Sequence, residues 1–242
     1  MQLFNTIYGR ELIGELPKIL GRPYTVVTMD DLWPKFAHLF DDAARPYLVE
    51  TLELDRLEQI ARDLPATEAV VGLGGGQAID VAKFFAWRRR LPLFQVPTSM
   101  SVNAPFGHRT AVRIESVVRY IGWVVPEAVY VDFDVIAAAP PLLNRSGVGD
   151  IFCYHTAHWD WAFAERVGRC EPKWRYDERW VAEARAVLDG VLADLDAIRE
   201  CTDDGIRVLM DALRWGGAAF SNTAAHTLPA PSAKAALPQL SL

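Results

Sequence analysis

The sequence predicts an α/β half built on a parallel sheet, followed by an all-helical half. Three observations carry this. Strand-like and helix-like segments alternate through the first half, the pattern of right-handed β-α-β crossovers. One of the strand-like segments, Ala69–Leu73, is apolar at every position, as a strand covered on both faces must be. From Gly149 onward the texture turns helical, with apolar residues at helical period over 150–167, 178–199 and 203–219.

The elements follow in order. Tyr24–Thr28 is a β-branched run that ends at Met29-Asp30-Asp31, a strand followed by a turn; Leu32–Leu39 then has helical spacing. Tyr47–Thr51 fits a second strand and Asp55–Leu64 a polar helix. After Ala69–Leu73 come a helix over Ala78–Arg89 and a buried strand over Leu93–Val96. Thr110–Ile114 and Val117–Ile121 alternate around Glu115-Ser116, which predicts a β-hairpin, and Val129–Val131 is a further short strand. The change of texture puts a boundary near Arg145-Ser-Gly147, giving units of 1–145 and 146–222. The stretch Thr223–Leu242 is rich in Ala, Pro, Ser and Leu, is almost uncharged, and is expected to be a poorly ordered tail. No internal repeat is present.

With 242 residues, 51% of them hydrophobic, the chain can bury a substantial core. A net charge of −6, with no basic tract beyond Arg88-Arg89-Arg90, argues against nucleic acid, whose phosphates need a clustered positive face. Three widely spaced cysteines outside any CxxC pattern predict reduced thiols and a cytoplasmic setting. The N-terminus lacks a signal-peptide pattern, and no apolar run approaches the roughly 18 residues a spanning helix needs, so no membrane partner is expected.

Four motifs carry candidate chemistry. In Gly72-Leu-Gly74-Gly75-Gly76-Gln-Ala-Ile-Asp80-Val-Ala-Lys83, glycines join a buried strand to a helix whose N-terminal N–H groups and positive dipole end can receive a diphosphate. The spacing is not G-x-G-x-x-G, and Asp80 with Lys83 is also compatible with a plain i,i+3 surface ion pair. Next, Val96–Pro105 leaves a strand as a hydroxyl-rich loop at the carboxyl edge of the sheet, where α/β ligands bind. Thr98, Ser99 and Ser101 offer donors and Asn103 both donor and acceptor. Third, Gly147-Val-Gly-Asp150 opens a helix with Asp150 at the N-cap position, fit for capping or for holding a metal in an interdomain cleft. His155 and His158 follow, but His158 lies two turns from Asp150, roughly 12 Å at the helical rise, too far for one ion; both read as packing or cleft-lining residues. Fourth is His226, the remaining histidine able to join Asp150 at a site. His38 and His108 lack supporting context.

These motifs in this order resemble the iron-containing alcohol dehydrogenase and glycerol dehydrogenase superfamily. The branch most like them is that of the sn-glycerol-1-phosphate dehydrogenases, with 3-dehydroquinate synthases more distant. The residues that carry the resemblance are Gly74–Lys83, Pro97–Pro105, Pro126–Ile136, and Gly147–Asp150 with Asp160-Trp161. It implies an incomplete dehydroquinate synthase-like fold: a Rossmann-like domain for NAD or NADP, then a helical domain holding a divalent metal, zinc or iron, in the cleft. By resemblance Asp30 contacts the adenosine ribose, Gly74, Gly75 and Gly76 the pyrophosphate, and Asp80, with Lys83, lies toward the nicotinamide end. Thr98, Ser99 and Ser101 supply the hydroxyl loop and Asp150 the first metal ligand. Asn103 stands where many members carry an aspartate beside the substrate. The other two metal ligands of the family are histidines on later helices. The pattern holds through Asn222 and no His-x-x-x-His pair follows, which leaves His226 to stand in for one ligand and predicts a truncation or shifted frame near residue 222.

The expected activity is metal-dependent, NAD(P)-linked oxidation of a small polyol or polyol phosphate. Two rivals are an inactive nucleotide-binding remnant and a 3-dehydroquinate synthase-like cyclase. Asp30 leans toward NAD, because a carboxylate accepts ribose hydroxyls and repels a 2′-phosphate. A homo-oligomer is left open.

Overall fold

Runs of β-branched and aromatic residues that must be covered on both faces assemble here as a parallel sheet. The computed structural model describes residues 5–224, without the side chains of Lys173 and of 218–224. In chain order the first half comprises β1 (Thr6–Gly9), α1 (Leu12–Leu20), β2 (Tyr24–Thr28), α2 (Trp33–Phe36) with a 3-10 turn at Ala37–Leu39, β3 (Ala44–Leu48), α3 (Leu54–Asp63), β4 (Ala69–Gly74), α4 (Gly76–Arg89) and β5 (Leu93–Pro97). After a 3-10 turn at Ala104–Phe106 come β6 (Thr110–Ile114), β7 (Val117–Ile121) and β8 (Ala128–Asp132). The described sheet has six parallel strands in the order β1-β8-β5-β4-β2-β3. All five residues of β2, β5 and β8 and all six of β4 are buried, the signature of a sheet covered on both faces. Pro46 is tolerated because β3 is an edge strand.

From β2 the chain continues outward to β3, whereas from β4 it continues to β5 on the opposite side. The crevice at the carboxyl ends of β2 and β4 is therefore a topological switch point, where α/β sheets bind ligands. β6 and β7 form the expected antiparallel hairpin, with both turn residues, Glu115 (φ 53°) and Ser116 (φ 64°), left-handed as a two-residue hairpin turn requires.

The helical half follows as α5 (Phe133–Ala137), α6 (Pro141–Arg166), α7 (Glu178–Ala193), α8 (Leu195–Arg199) and α9 (Asp203–Ala224). Its core is continuous with the sheet: Val129, Val131 and Phe133 pack with Ile151, Leu209 and Leu213 around buried Met100 and Phe106. The α/β half followed by helices is the predicted architecture, but several details differ. Asp150 is not an N-cap, because α6 starts at Pro141 and carries Asp150 well inside it. The boundary proposed near Arg145 falls within this continuous helix. β1 and α1 have no counterpart in the sequence reading, since Gly14 and Pro17 interrupt the helical pattern of α1. The predicted tail lies largely outside the described residues. No disulfide joins Cys153, Cys170 or Cys201 among them. No helix among the described residues is long and apolar enough to cross a membrane.

Candidate dinucleotide cleft and adjoining cavity

The glycine turn falls where β4 delivers the chain to α4. Gly74 has φ +151°, and a Cβ there would lie 2.8 Å from Ala78 Cβ, so the helix can start this close to the strand only without a side chain. Gly75 is the N-cap of α4, and the first turn of the helix carries no acidic residue. Its N–H groups are left open to an anion. The neighbouring strand brings the hydroxyl loop alongside: Thr98 N–H donates to the Gly74 carbonyl (3.2 Å), and the Oγ atoms of Ser99 and Ser101 are 3.1 Å apart.

Gly75, Gly76, Thr98, Ser99 and Ser101 thus line one cleft of about 420 Å³, closed on the β2 side by Asp31 and Lys35. Asp30, the residue matched to the ribose contact, is exposed and is not part of the lining, which includes Met29 and Asp31 on either side of it. The carboxylate in the lining is that of Asp31.

A second cavity of about 300 Å³ adjoins the first and shares Gly76 and Gln77 with it. Asp80, Lys83, Asn103 and Asp150 all border this second cavity, so the fold gathers four residues that are far apart in sequence. Lys83 is not a surface ion-pair partner. It is 2% exposed, pairs with Asp80 at 2.7 Å, and donates to the carbonyls of Ala104 (3.1 Å) and Arg109 (2.7 Å). Ion-paired to Asp80 and bonded to two backbone carbonyls, it fixes the wall of the cavity.

Sequence reasoning missed Gln77, Arg109 and Tyr154, which border the same cavity. Tyr154 had a signal, since it lies one turn beyond Asp150 on the same helix face. Its hydroxyl occupies space that a Cβ on Gly216 would fill. Burial, then Cys153 and Asp150, push the Tyr154 phenol above the ordinary tyrosine range, so it is a neutral O–H donor at physiological pH.

His155 and His158 do not form a metal site with Asp150. His155 is exposed. His158 Nε2 accepts from Arg185 Nη2 (3.1 Å), which can only donate, and its Nδ1 donates to the Tyr154 carbonyl (3.3 Å). These contacts, with its burial, hold His158 within the packing of α6. His226 lies outside the described residues. Among the described residues no three His, Cys, Asp or Glu side chains converge as metal ligands, so Asp150 does not form a complete donor set there.

His108 stacks against Trp123, with ring centroids 4.5 Å apart. Burial, and then the charge of Lys83, hold its pKa down at about 4. A histidine lowered in the folded state contributes no penalty above its ordinary pKa near 6.5. As pH falls from there toward 4, the unfolded chain takes the proton first and stability is lost. Denaturant midpoints measured across that window are expected to fall more steeply for the wild type than for His108→Asn; parallel curves would remove His108 as the cause.

Comparison with known proteins agrees with this geometry. Residues 37–140 match the family described as iron-containing alcohol dehydrogenase. The chain is 31% identical over 169 residues to the glycerol-1-phosphate dehydrogenase [NAD(P)+] of Methanothrix thermoacetophila, covering 70% of this chain and 46% of that protein. It is 32% identical over 222 residues to the enzyme of the same name from Thermofilum pendens, covering 87% and 62%. Among solved structures, a probable glycerol dehydrogenase from Sinorhizobium meliloti superposes with a TM-score of 0.72 at 21% identity, over 90% of this chain and 65% of that one. Glycerol dehydrogenase from Schizosaccharomyces pombe gives 0.70 at 19%, over 92% and 62%. Both share the fold. The chain spans about half to three-fifths of the length of these two curated relatives.

Proposed function

We propose, with kinship to the iron-containing alcohol dehydrogenase and glycerol dehydrogenase superfamily as the premise, that this chain binds NAD(P) and performs oxidoreduction of a small polyol or polyol phosphate. The observation that carries the reading is that the two cavities adjoin at Gly76 and Gln77, at the N-terminus of α4. A dinucleotide whose pyrophosphate rests on the N-terminus of α4 has its remaining length directed either along β2 or into the second cavity. Gly75, Gly76, Thr98, Ser99 and Ser101 would hold the pyrophosphate and its neighbours, and Asp31 would accept from the adenosine ribose. When bound, the cofactor supplies a nicotinamide ring that exchanges a hydride with substrate.

The remaining work belongs to this chain's own side chains. The Asn103 amide can both donate to and accept from a substrate hydroxyl, and the neutral Tyr154 O–H donates. Asp150 offers a carboxylate acceptor.

The test introduces a charge where the pyrophosphate would lie. A Cβ on Gly75 meets nothing within 4 Å, so Gly75→Asp fits sterically and even adds an N-cap side chain. Its carboxylate would repel the diphosphate, and NAD+ and NADP+ affinity is expected to fall about tenfold or more with an unchanged far-ultraviolet spectrum. Tryptophan fluorescence titration reads the affinity, and near-ultraviolet absorbance with glycerol or glycerol 1-phosphate reads the turnover. Equal affinity in the two proteins would refute the cleft assignment.

A further inference from the structure

We infer that the exposed face of α6 is the surface through which two copies of this chain pair, the two helices lying antiparallel about a two-fold axis. The pairing stands apart from the dehydrogenase reading above, because it uses none of the residues that border the two cavities.

One side of α6 is left uncovered among the described residues. Leu142, Phe152, Trp159 and Phe163 recur there at spacings of about three, two and one helical turns, and they are 78%, 46%, 65% and 55% exposed. The other side belongs to the fold: Asn144, Ile151, Ala157, Trp161 and Ala164 are buried, and Asp150 and Tyr154 border the second cavity. A lone exposed apolar residue is ordinary. A continuous aromatic and aliphatic stripe, roughly 30 Å long at the helical rise, marks an interaction surface.

Charge identifies the occupant. Of the exposed α6 positions between Arg145 and Asp160, none is Asp, Glu, Lys or Arg, so the stripe is a seam with one cation near its start and one anion toward its end. Both are exposed, and neither makes an ion pair or side-chain hydrogen bond among the described residues. A second copy turned about an axis level with Phe152 lays Arg145 against Asp160 of that copy and Leu142 against its Phe163. Two-fold symmetry repeats both contacts, and Phe152 meets its own counterpart at the centre. A parallel copy would instead set Arg145 beside Arg145 and Asp160 beside Asp160, at a cost in like-charge repulsion. A lipid surface, which favours a basic rim, would leave Asp160 without a partner.

Sedimentation velocity of the full 242-residue chain over a range of micromolar concentrations tests the pairing. The wild type is expected to sediment with twice the mass of one chain. Trp159→Glu, at an exposed position, is expected to weaken the pairing about a hundredfold or more and to give a monomer with an unchanged far-ultraviolet spectrum. Arg145→Glu is expected to weaken it about tenfold. Combining Arg145→Glu with Asp160→Arg is expected to recover the wild-type affinity, since the exchanged charges again lie opposite one another. A wild type that stays monomeric throughout would overturn the proposal, as would a dimer that Trp159→Glu leaves intact. A dimer in which the double variant is no tighter than Arg145→Glu alone would overturn the antiparallel arrangement. Pairing seen only after removal of residues 225–242 would assign the face to that segment instead and would also overturn the proposal.

Discussion

Gly147→Ala is expected to cost about 3 kcal/mol of stability and to weaken ligand binding in both cavities. Gly147 is buried in α6, and a Cβ placed on it would overlap the Met100 carbonyl oxygen. That oxygen belongs to backbone, so relief requires moving the helix or the loop. The loop is also held by buried Asn144, which accepts from Met100 N–H (3.0 Å) and donates to the Ile136 carbonyl (2.7 Å). Ser99 and Ser101 on this loop border the first cleft, and Val102 and Asn103 border the second cavity, so a displaced loop disturbs both. The control lies two residues away on the same helix. Gly149 is exposed and a Cβ there meets nothing within 4 Å, so Gly149→Ala is expected to gain up to about 1 kcal/mol of helix stability. Urea unfolding of the two variants measures the contrast; a similar effect at both positions would show that the packing of α6 on the loop has been misread.

Lys83→Met is the second substitution expected to have a large effect, at about 3–5 kcal/mol. It leaves Asp80, 13% exposed, without its cation and removes the donor from the Ala104 and Arg109 carbonyls. Removing one member of a buried pair costs far more than removing both, so adding Asp80→Asn is expected to recover a substantial part of the loss. Thermal or urea unfolding of the single and double variants closes the cycle. The same change removes a charge that holds the His108 pKa down, so histidine titration by NMR should move up toward its ordinary value. A Lys83→Met protein as stable as wild type would show that the ion pair carries little of the wall.

Much of this arrangement was legible in the sequence where a local pattern coincides with a tertiary requirement. The β4–α4 turn was readable because an all-apolar strand, consecutive glycines and a helix occur in the one order that serves an anion. The β6–β7 hairpin was readable to the residue even though Glu115 and Ser116 are poor left-handed residues, because alternation on both sides set the register. The start of α6 was not. Gly147 and Gly149 look alike as helix breakers, and only the approach of Met100 distinguishes a glycine required by packing from one that merely lowers propensity. Asp30 and Asp31 are likewise equivalent in composition, and which of them faces the cleft depends on the last turn of chain after β2. Lys83 is compatible with a surface pair at its i,i+3 spacing; its burial comes from the distant Ala104–Arg109 segment. Arg109 itself, beside a hairpin, resembles any solvated charge until the fold places it over a cavity.

Gly76 and Gln77 supply a wall to both cavities. Whatever factor a bound dinucleotide adds to substrate affinity by setting that wall, a bound substrate must add to dinucleotide affinity. An affinity of either proposed ligand is therefore best measured at a stated saturation of the other.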